Sequence, residues 1–169
     1  MSVGDVNSDA KGSGARYNDG KPDLSLIPFG ILEGMLSPSA APGEDSSAGL
    51  LALMALKDFQ VSGNRKHLWA ALDALDYDGE LVRNIAKVFE YGKAKYAAWN
   101  WAKGMAWSVP MACAARHIFY GMCAGEELDA ESGLPHRGHV GCNIVMLLHF
   151  LDSYPQGNDL PAPVLFTPF

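Results

Sequence analysis

The chain has 169 residues, of which 49% are apolar and 19% are charged, and its formal net charge at pH 7 is −6. This length and composition are typical of one soluble globular domain, and the negative charge argues against binding to DNA or RNA, which requires Lys and Arg to neutralise phosphates. No apolar run approaches the roughly 18 residues that cross a bilayer, so we expect no membrane partner and a cytoplasmic protein.

Residues 1–14 are rich in Gly, Ser and Asp and are predicted to be disordered, which leaves residues 15–169 as a single folded domain. A second low-complexity stretch at residues 37–48 is predicted to be a surface loop. Apolar residues recur at helical spacing, in chain order, over residues 29–36, 50–56, 66–75, 80–96, 108–124 and 139–154. Period-two alternation is scarce, so the sequence predicts an all-α fold, a compact bundle of about five helices.

An acidic segment lies between Gly125 and His136. It contains four carboxylates within six positions: Glu126, Glu127, Asp129 and Glu131. A helix that continued past Gly125 would place pairs of them on common faces, where oxygen ligands suit Mg²⁺ or Mn²⁺. Four neighbouring like charges need either a cation or full solvation, so a metal site and a solvated acidic loop both remain open.

Polar residues form a stripe at the start of the last predicted helix. His136, His139 and Asn143 follow i, i+3, i+7 spacing, and a buried stripe of this kind needs hydrogen-bond or metal partners. On the preceding helix, Arg116 can point to the side of the acids, where it would clamp phosphate or pair with a carboxylate. His117 is less constrained and is expected to be a packing residue.

A second candidate region combines amines and aromatic side chains near the end of the fourth helix. Its members are Lys93, Lys95, Tyr96, Trp99, Asn100 and Trp101. A purine could stack on one of these rings, with an amide reading its edge and amines holding its phosphates, although aromatic residues that close a core give the same pattern. Arg16 and Lys21 form a weaker phosphate-binding candidate, for which a flexible basic arm is the alternative.

Several motifs of other enzyme classes are missing. The chain has no Gly-x-x-x-x-Gly-Lys-Ser/Thr loop, no Gly-x-Gly-x-x-Gly, no His-Glu-x-x-His and no Gly-x-Ser-x-Gly. The His-x-Glu and Pro-Cys-x-x-Cys motifs of zinc deaminases and an adjacent His-Asp pair are absent as well.

Four blocks of residues together carry a resemblance to a known family. They are Gly14-Ala15-Arg16-Tyr17-Asn18-Asp19-Gly20-Lys21-Pro22, then Tyr91-Gly92-x-x-Lys95-Tyr96 with Asn100-Trp101, then Arg116-His117, then Gly125-Glu126-x-x-Asp129-x-Glu131-Ser132-Gly133-Leu134-Pro135-His136-x-x-His139-x-x-x-Asn143. In this order they resemble the phage dATP/dGTP diphosphohydrolases, which are MazG-like enzymes, and among them the MazZ-type members from phages that replace adenine with diaminopurine.

The resemblance implies an all-α, MazG-like hydrolase that cuts a (deoxy)nucleoside triphosphate between its α and β phosphates. The substrate would be a purine nucleotide, dGTP above all and also GTP or dATP, and the products would be the monophosphate and pyrophosphate. The dGMP would supply diaminopurine nucleotide synthesis in the host cell cytoplasm. A homo-oligomer, either a dimer or a tetramer, is also implied.

On this hypothesis two or more Mg²⁺ or Mn²⁺ ions neutralise the triphosphate and activate a water. The expected metal ligands are Glu126, Glu127, Asp129 and Glu131, and the expected catalytic residues are Glu126, Asp129, Glu131 and Arg116. The expected substrate-binding residues are Arg16, Lys21, Lys93, Lys95, Tyr96, Asn100, Trp101, His136, His139 and Asn143. Two rivals remain: a non-catalytic nucleotide-binding or interaction module with a structural metal, and a metallohydrolase of phosphoesters.

Overall fold

The computed structural model describes residues 2–166, and α-helices dominate it. The helices are α1 (Phe29–Leu36), α2 (Glu44–Ser62), α3 (Arg65–Leu75), α4 (Leu81–Lys95), α5 (Ser108–Arg116) and α6 (His136–Ser153). The described strands are two residues long, β1 (Ser2–Val3) and β2 (Arg16–Tyr17), and they pair antiparallel. The prediction of an all-α fold is confirmed.

The predicted loop at residues 37–48 is shorter in the structure. Helix α2 begins at Glu44 and carries Glu44 and Asp45 in its first turn, where carboxylates interact favourably with the helix dipole. Gly63, with φ 66°, ends α2, and the side chain of Asn64 caps α3 by accepting a hydrogen bond from the backbone N–H of Lys66. The loop therefore ends at Gly43 and not at residue 48. The acidic residues that follow Gly43 are compatible with a loop, but they also favour the first turn of a helix.

Helix α6 occupies the centre of the fold and packs against α3, α4 and α5. All residues from 136 to 144 are buried. Two glycines allow α4 to approach closely, since a Cβ on Gly138 would lie 2.9 Å from the carbonyl oxygen of Asn84 and a Cβ on Gly141 would lie 2.7 Å from Cδ1 of Ile85. Because of this close packing, the polar stripe of α6, which consists of His136, His139 and Asn143, is buried.

Residues 12–22, which we call the strap, cross the helical bundle. Backbone N–H groups of Gly12 and Gly14 donate to the carbonyl oxygens of Lys103 and Gly104, at 2.8 and 2.9 Å. At its other end the strap is held by Arg116, which donates to the carbonyl oxygen of Pro22 at 3.0 Å. Residues 12–14, within the stretch whose composition predicts disorder, therefore take part in backbone hydrogen bonds in the structure.

Helix α5 continues without a break into a π-helical turn (His117–Gly121) and a 3-10 turn (Met122–Ala124). A π turn inserts an extra residue per turn and rotates the side chains that follow away from the 3.6-residue register. Gly125, with φ 82°, ends this run. Within residues 2–166, no helix is both long and apolar enough to cross a bilayer.

Candidate active site

A cavity of about 700 Å³ lies between the strap, the end of α4, α5 and α6. Most of the predicted site residues line it: Arg16, Lys21, Lys93, Lys95, Tyr96, Asn100, Trp101, Arg116, Asp129, Glu131, His139 and Asn143. His117 lines it too, although its sequence context predicts a packing residue. Three predicted residues, Glu126, Glu127 and His136, are not part of the cavity wall. Four distant sequence blocks therefore converge on one space.

Three imidazoles form a cluster at one side of this cavity. The Nδ1 atoms of His117 and His136 lie 2.9 Å apart, and the rings of His117 and His139 stack with centroids 4.4 Å apart. Gly121 makes room for the cluster, since a Cβ there would lie 2.5 Å from the His136 ring. Helical periodicity could not identify His117, because its partners His136 and His139 lie 19 and 22 positions further along the chain; its position beside Arg116 in one of the four family-like blocks is the available signal.

Ser132 connects Asp129 to the imidazole cluster. Its backbone N–H and its hydroxyl both donate to Oδ2 of Asp129 at 2.9 Å, and its Oγ lies 2.7 Å from Nε2 of His139. Because the single hydroxyl proton is directed at Asp129, the network assigns Nε2 of His139 as the donor to Ser132. One serine thus orients both a carboxylate and an imidazole.

Burial sets the protonation states in this cluster. It lowers the pKa of His139, and it lowers the pKa of His117 well below its usual value, with neighbouring imidazoles adding to the effect. Partial burial raises the pKa of Asp129, but the two hydrogen bonds from Ser132 and the neighbouring imidazoles together give a net lowering of that pKa. At neutral pH His117 and His139 are therefore neutral and Asp129 is ionised, the forms that bind divalent metals.

The cluster has the donors of a metal site. One ligand atom each from His117, Asp129 and His136 lies within 4.8 Å of the others. Nε2 of His136 is buried and has no hydrogen-bond partner, because its 3.4 Å contact with Oε1 of Glu126 lacks hydrogen-bond geometry. Two imidazoles and a carboxylate form a ligand set suited to first-row transition metals. These three residues can therefore hold a divalent ion.

The acidic segment does not continue the helix before it. It folds into a turn in which Asp129 donates its backbone N–H to Leu134 and accepts from the backbone N–H of Gly133, at 2.8 and 2.7 Å. The expected common helical faces for its carboxylates are therefore absent, because Gly125 ends the helical run. The exposed Glu127 instead uses its carbonyl oxygen to accept the backbone N–H of His136.

Glu131 lies at the cavity mouth among cations. Lys95 contacts its carboxylate at 2.6 Å and Lys21 at 3.5 Å, and the hydroxyl of Tyr91 donates to it at 3.1 Å. The hydrogen bond from Lys95, with smaller contributions from Lys21 and Tyr91, lowers the pKa of Glu131 to about 2. This acid therefore neutralises two lysines, and Lys93 lines the same cavity.

Arg16 brings a positive charge into the cavity from the strap. Its side chain is half-buried and donates to Oδ1 of Asn143, and its Nε is buried without a hydrogen-bond partner. Among residues 2–166, no carboxylate lies within ion-pair distance of its guanidinium. A half-buried cation with a buried, unpartnered Nε is a binding point for an anion, because desolvation without a counter-charge is costly. Arg116, in contrast, binds the strap through Oδ1 of Asn18, at 3.0 Å.

Most of the predicted base-binding residues are engaged by other side chains or by the strap. Asn100 uses both ends of its amide on the backbone of Ala15, at 3.0 Å each. Tyr96 accepts a hydrogen bond from the backbone N–H of Tyr17, and their two rings stack with centroids 5.5 Å apart. Trp101 packs among four aromatic side chains: Phe89, Trp99, His149 and Phe150.

Trp99 differs from these residues. Its side chain lines the cavity and remains 73% exposed. Among the described residues it is the one non-glycine with positive φ, at φ 60° and ψ 12°. A bulky residue in this left-handed region costs on the order of 1–3 kcal/mol, and such strain concentrates at functional sites.

A comparison with protein families identifies the family of the chain. A family model described as dATP/dGTP diphosphohydrolase, N-terminal, matches residues 62–160, which is more than half of the chain. The chain belongs to this family. The name indicates a hydrolase with a nucleotide substrate, so the family inferred from the four blocks is confirmed. No curated protein and no solved structure gives a significant match.

The matched range includes most of the cavity of this dATP/dGTP diphosphohydrolase family member. It covers α4, α5, the acidic segment and all of α6, and so contains the imidazole cluster with Asp129 and Ser132. The strap with Arg16 and Lys21 lies before it.

Proposed function

We propose that the protein is a metal-dependent diphosphohydrolase that cleaves purine deoxynucleoside triphosphates between the α and β phosphates. The observation that carries the proposal is a single cavity, bordered by a potential metal-ligand cluster, into which Arg16 brings a half-buried guanidinium that lacks a carboxylate partner among the described residues. A triphosphate satisfies both, since its oxygens bind divalent ions and its charge compensates the arginine. Family membership supports the nucleotide as substrate.

His117, Asp129 and His136 would hold the divalent ion, with Glu126 beside His136 as a further carboxylate. Mn²⁺ suits this site better than Mg²⁺, because imidazole is a poor ligand for magnesium. When bound, the ion supplies charge stabilisation at a phosphoryl oxygen and lowers the pKa of a coordinated water. The family resemblance implies two or more ions, and a second Mn²⁺ or Mg²⁺ would enter with the oxygens of the triphosphate.

The cationic side chains of the chain lie in two parts of the cavity and would bind different phosphate groups of the substrate. Arg16 is deep in the cavity and would bind a phosphoryl oxygen near the bond that breaks. Lys21, Lys93 and Lys95 are at the mouth, where they would stabilise the charge that develops on the pyrophosphate leaving group. His139, held by Ser132, would orient Asp129 and exclude other rotamers of that carboxylate.

The resemblance of the four blocks also supports a particular substrate. We propose dGTP as the main substrate, with GTP and dATP as weaker ones, so that dGMP becomes available for diaminopurine nucleotide synthesis in an infected cell. We further propose a dimer or tetramer, for which light scattering on the purified chain gives the test. A monomer mass would contradict the proposed assembly and leave the reaction unaffected.

Replacing one metal ligand tests the proposed function. We expect wild-type protein to bind Mn²⁺ in a calorimetric titration and to release pyrophosphate from dGTP, and we expect Asp129→Asn and His117→Ala to lose both properties with their helical circular dichroism intact. The matched control is Glu80→Gln, since Glu80 is an exposed acid paired with Arg83 and lies outside the cavity wall. Wild-type affinity and turnover in both cluster variants would refute the proposal, and metal-dependent nucleotide binding without product would favour a binding module.

A further inference from the structure

The aromatic residues around the cavity differ in how much of their surface is free. Trp101 is enclosed by other aromatic rings, Tyr96 is covered by Tyr17, and the Asn100 amide is fully used by the strap backbone. Trp99 is the exception, because its indole is 73% exposed where it lines the cavity. It contacts Trp101 at a centroid distance of 6.1 Å in a tilted arrangement, so most of its surface stays uncovered.

The backbone of Trp99 supports the same distinction. Its φ of 60° is one that glycine adopts without strain, yet the chain holds its largest type of side chain there. The packing of an exposed indole does not compensate for this strain, since the side chain contributes little to the core. A strained residue whose side chain adds little to core packing is a candidate for binding a ligand.

We propose that Trp99 is the platform on which the base of the nucleotide stacks. This inference rests on the proposed function, because it assigns the part of the same cavity that receives the base while Arg16 and the lysines receive the phosphates. The ligand class is a planar heteroaromatic base. Stacking on an indole is tolerant of base identity, so Trp99 sets affinity for a purine and does not separate adenine from guanine. The family name itself joins dATP and dGTP.

The test compares ligands with and without a base. Wild type, Trp99→Ala and Trp99→Gly are assayed with dGTP and dATP, and inorganic tripolyphosphate serves as a competitor that lacks a base. Trp69→Ala is the matched control, because Trp69 is an exposed tryptophan on α3, 59% accessible, and is not part of the cavity wall. Thermal unfolding of each variant is measured beside the kinetics.

Loss of one base-stacking contact predicts a KM about ten-fold higher for both nucleotides in the two Trp99 variants, with little change in kcat. The inhibition constant of tripolyphosphate should stay at the wild-type value, and Trp69→Ala should behave as wild type. Trp99→Gly should unfold at the wild-type temperature or above it, because glycine relieves the backbone strain. An unchanged KM, or an equal loss for tripolyphosphate and nucleotides, would overturn the proposal.

If the wild-type chain releases no pyrophosphate, the proposed function fails, and the same variants are then compared by equilibrium titration with dGTP and tripolyphosphate. A weaker affinity of Trp99→Ala for dGTP alone would support the base platform in a binding protein. Equal affinities of wild type and variant for dGTP would refute it.

Discussion

The Nδ1 atoms of His117 and His136 lie 2.9 Å apart, although the two residues are separated by 19 positions and belong to different helical segments. Two imidazole nitrogens at this distance either share one proton or face a common cation. The other ring nitrogen of His136 is buried beside Glu126 without a hydrogen bond, so the structure provides no acceptor that fixes the tautomer. This arrangement is the physical reason to assign a metal to the cluster.

Ser132 should matter as much as the residues it holds. Ser132→Ala removes one hydrogen bond to Asp129, the partner of His139 and the acceptor of the backbone N–H of Leu134, while the backbone N–H of residue 132 still binds the carboxylate. Since partners of this kind typically change metal affinity by about 10- to 100-fold, we expect Mn²⁺ affinity and turnover to fall by at least about ten-fold with the melting temperature nearly unchanged. Ser153→Ala, which removes a hydroxyl at the far end of α6, is the control. Wild-type Mn²⁺ affinity in Ser132→Ala would show that the network does not support the site.

Asn100 is a positioning residue for the strap in this account, although its sequence context suggests a reader of the base. Asn100→Ala removes both hydrogen bonds to Ala15, next to Arg16, and leaves the backbone of Ala15 without these partners. We expect kcat/KM to fall for dGTP and dATP by the same factor, since the loss acts through Arg16. A change in the ratio of the two substrates, measured in competition, would instead indicate direct contact with the base.

A substitution of Glu131 tests the lysines at the cavity mouth separately from the metal site. Glu131→Gln removes the charge that neutralises Lys21 and Lys95 and leaves the His117 cluster untouched. We expect a lower KM for dGTP, because the lysines become available to phosphate, and an unchanged Mn²⁺ affinity by calorimetry. Reduced Mn²⁺ affinity in this variant would return Glu131 to the ligand set expected from the acidic segment.

The ion pair between Asp78 and Arg137 predicts a pH dependence of stability. Two hydrogen bonds from Arg137, at 2.8 and 2.6 Å, lower the pKa of Asp78 to about 2. Because the folded-state pKa is lowered, the stabilisation is complete above roughly pH 4 and is lost as the pH falls toward 2. We expect Asp78→Asn to melt below wild type at neutral pH and the difference to shrink over that acidic interval.

Calorimetric melts of wild type and Asp78→Asn between neutral pH and about pH 2 measure this effect. Asp73→Asn is the control, since Asp73 is an exposed acid on α3. A difference in melting temperature that stays constant over the whole interval would contradict the assigned ion pair.

Local periodicity predicts α1, α3 and α4 closely, whereas the helix predicted over 50–56 is α2, which begins six residues earlier and ends six residues later. The predicted range 80–96 differs from α4 by one residue at each end, and His139 and Asn143 lie in the cavity as their spacing suggests. Local periodicity does not predict the residues whose positions depend on long-range contacts. His117 meets the imidazole of His136 19 positions away, the acidic segment leaves helical geometry after Gly125, and Asn100 binds a strap that is 85 positions away. None of these contacts has a signature in local periodicity.

The most direct test of the account is hydrolysis of dGTP by the purified chain with Mn²⁺ in ¹⁸O-labelled water, followed by mass spectrometry of the products. Attack at the α phosphorus predicts dGMP and pyrophosphate, with the label in dGMP and no product in the presence of a chelator. Label in pyrophosphate would contradict attack at the α phosphorus, and the release of dGDP and inorganic phosphate would contradict the proposed cleavage between the α and β phosphates.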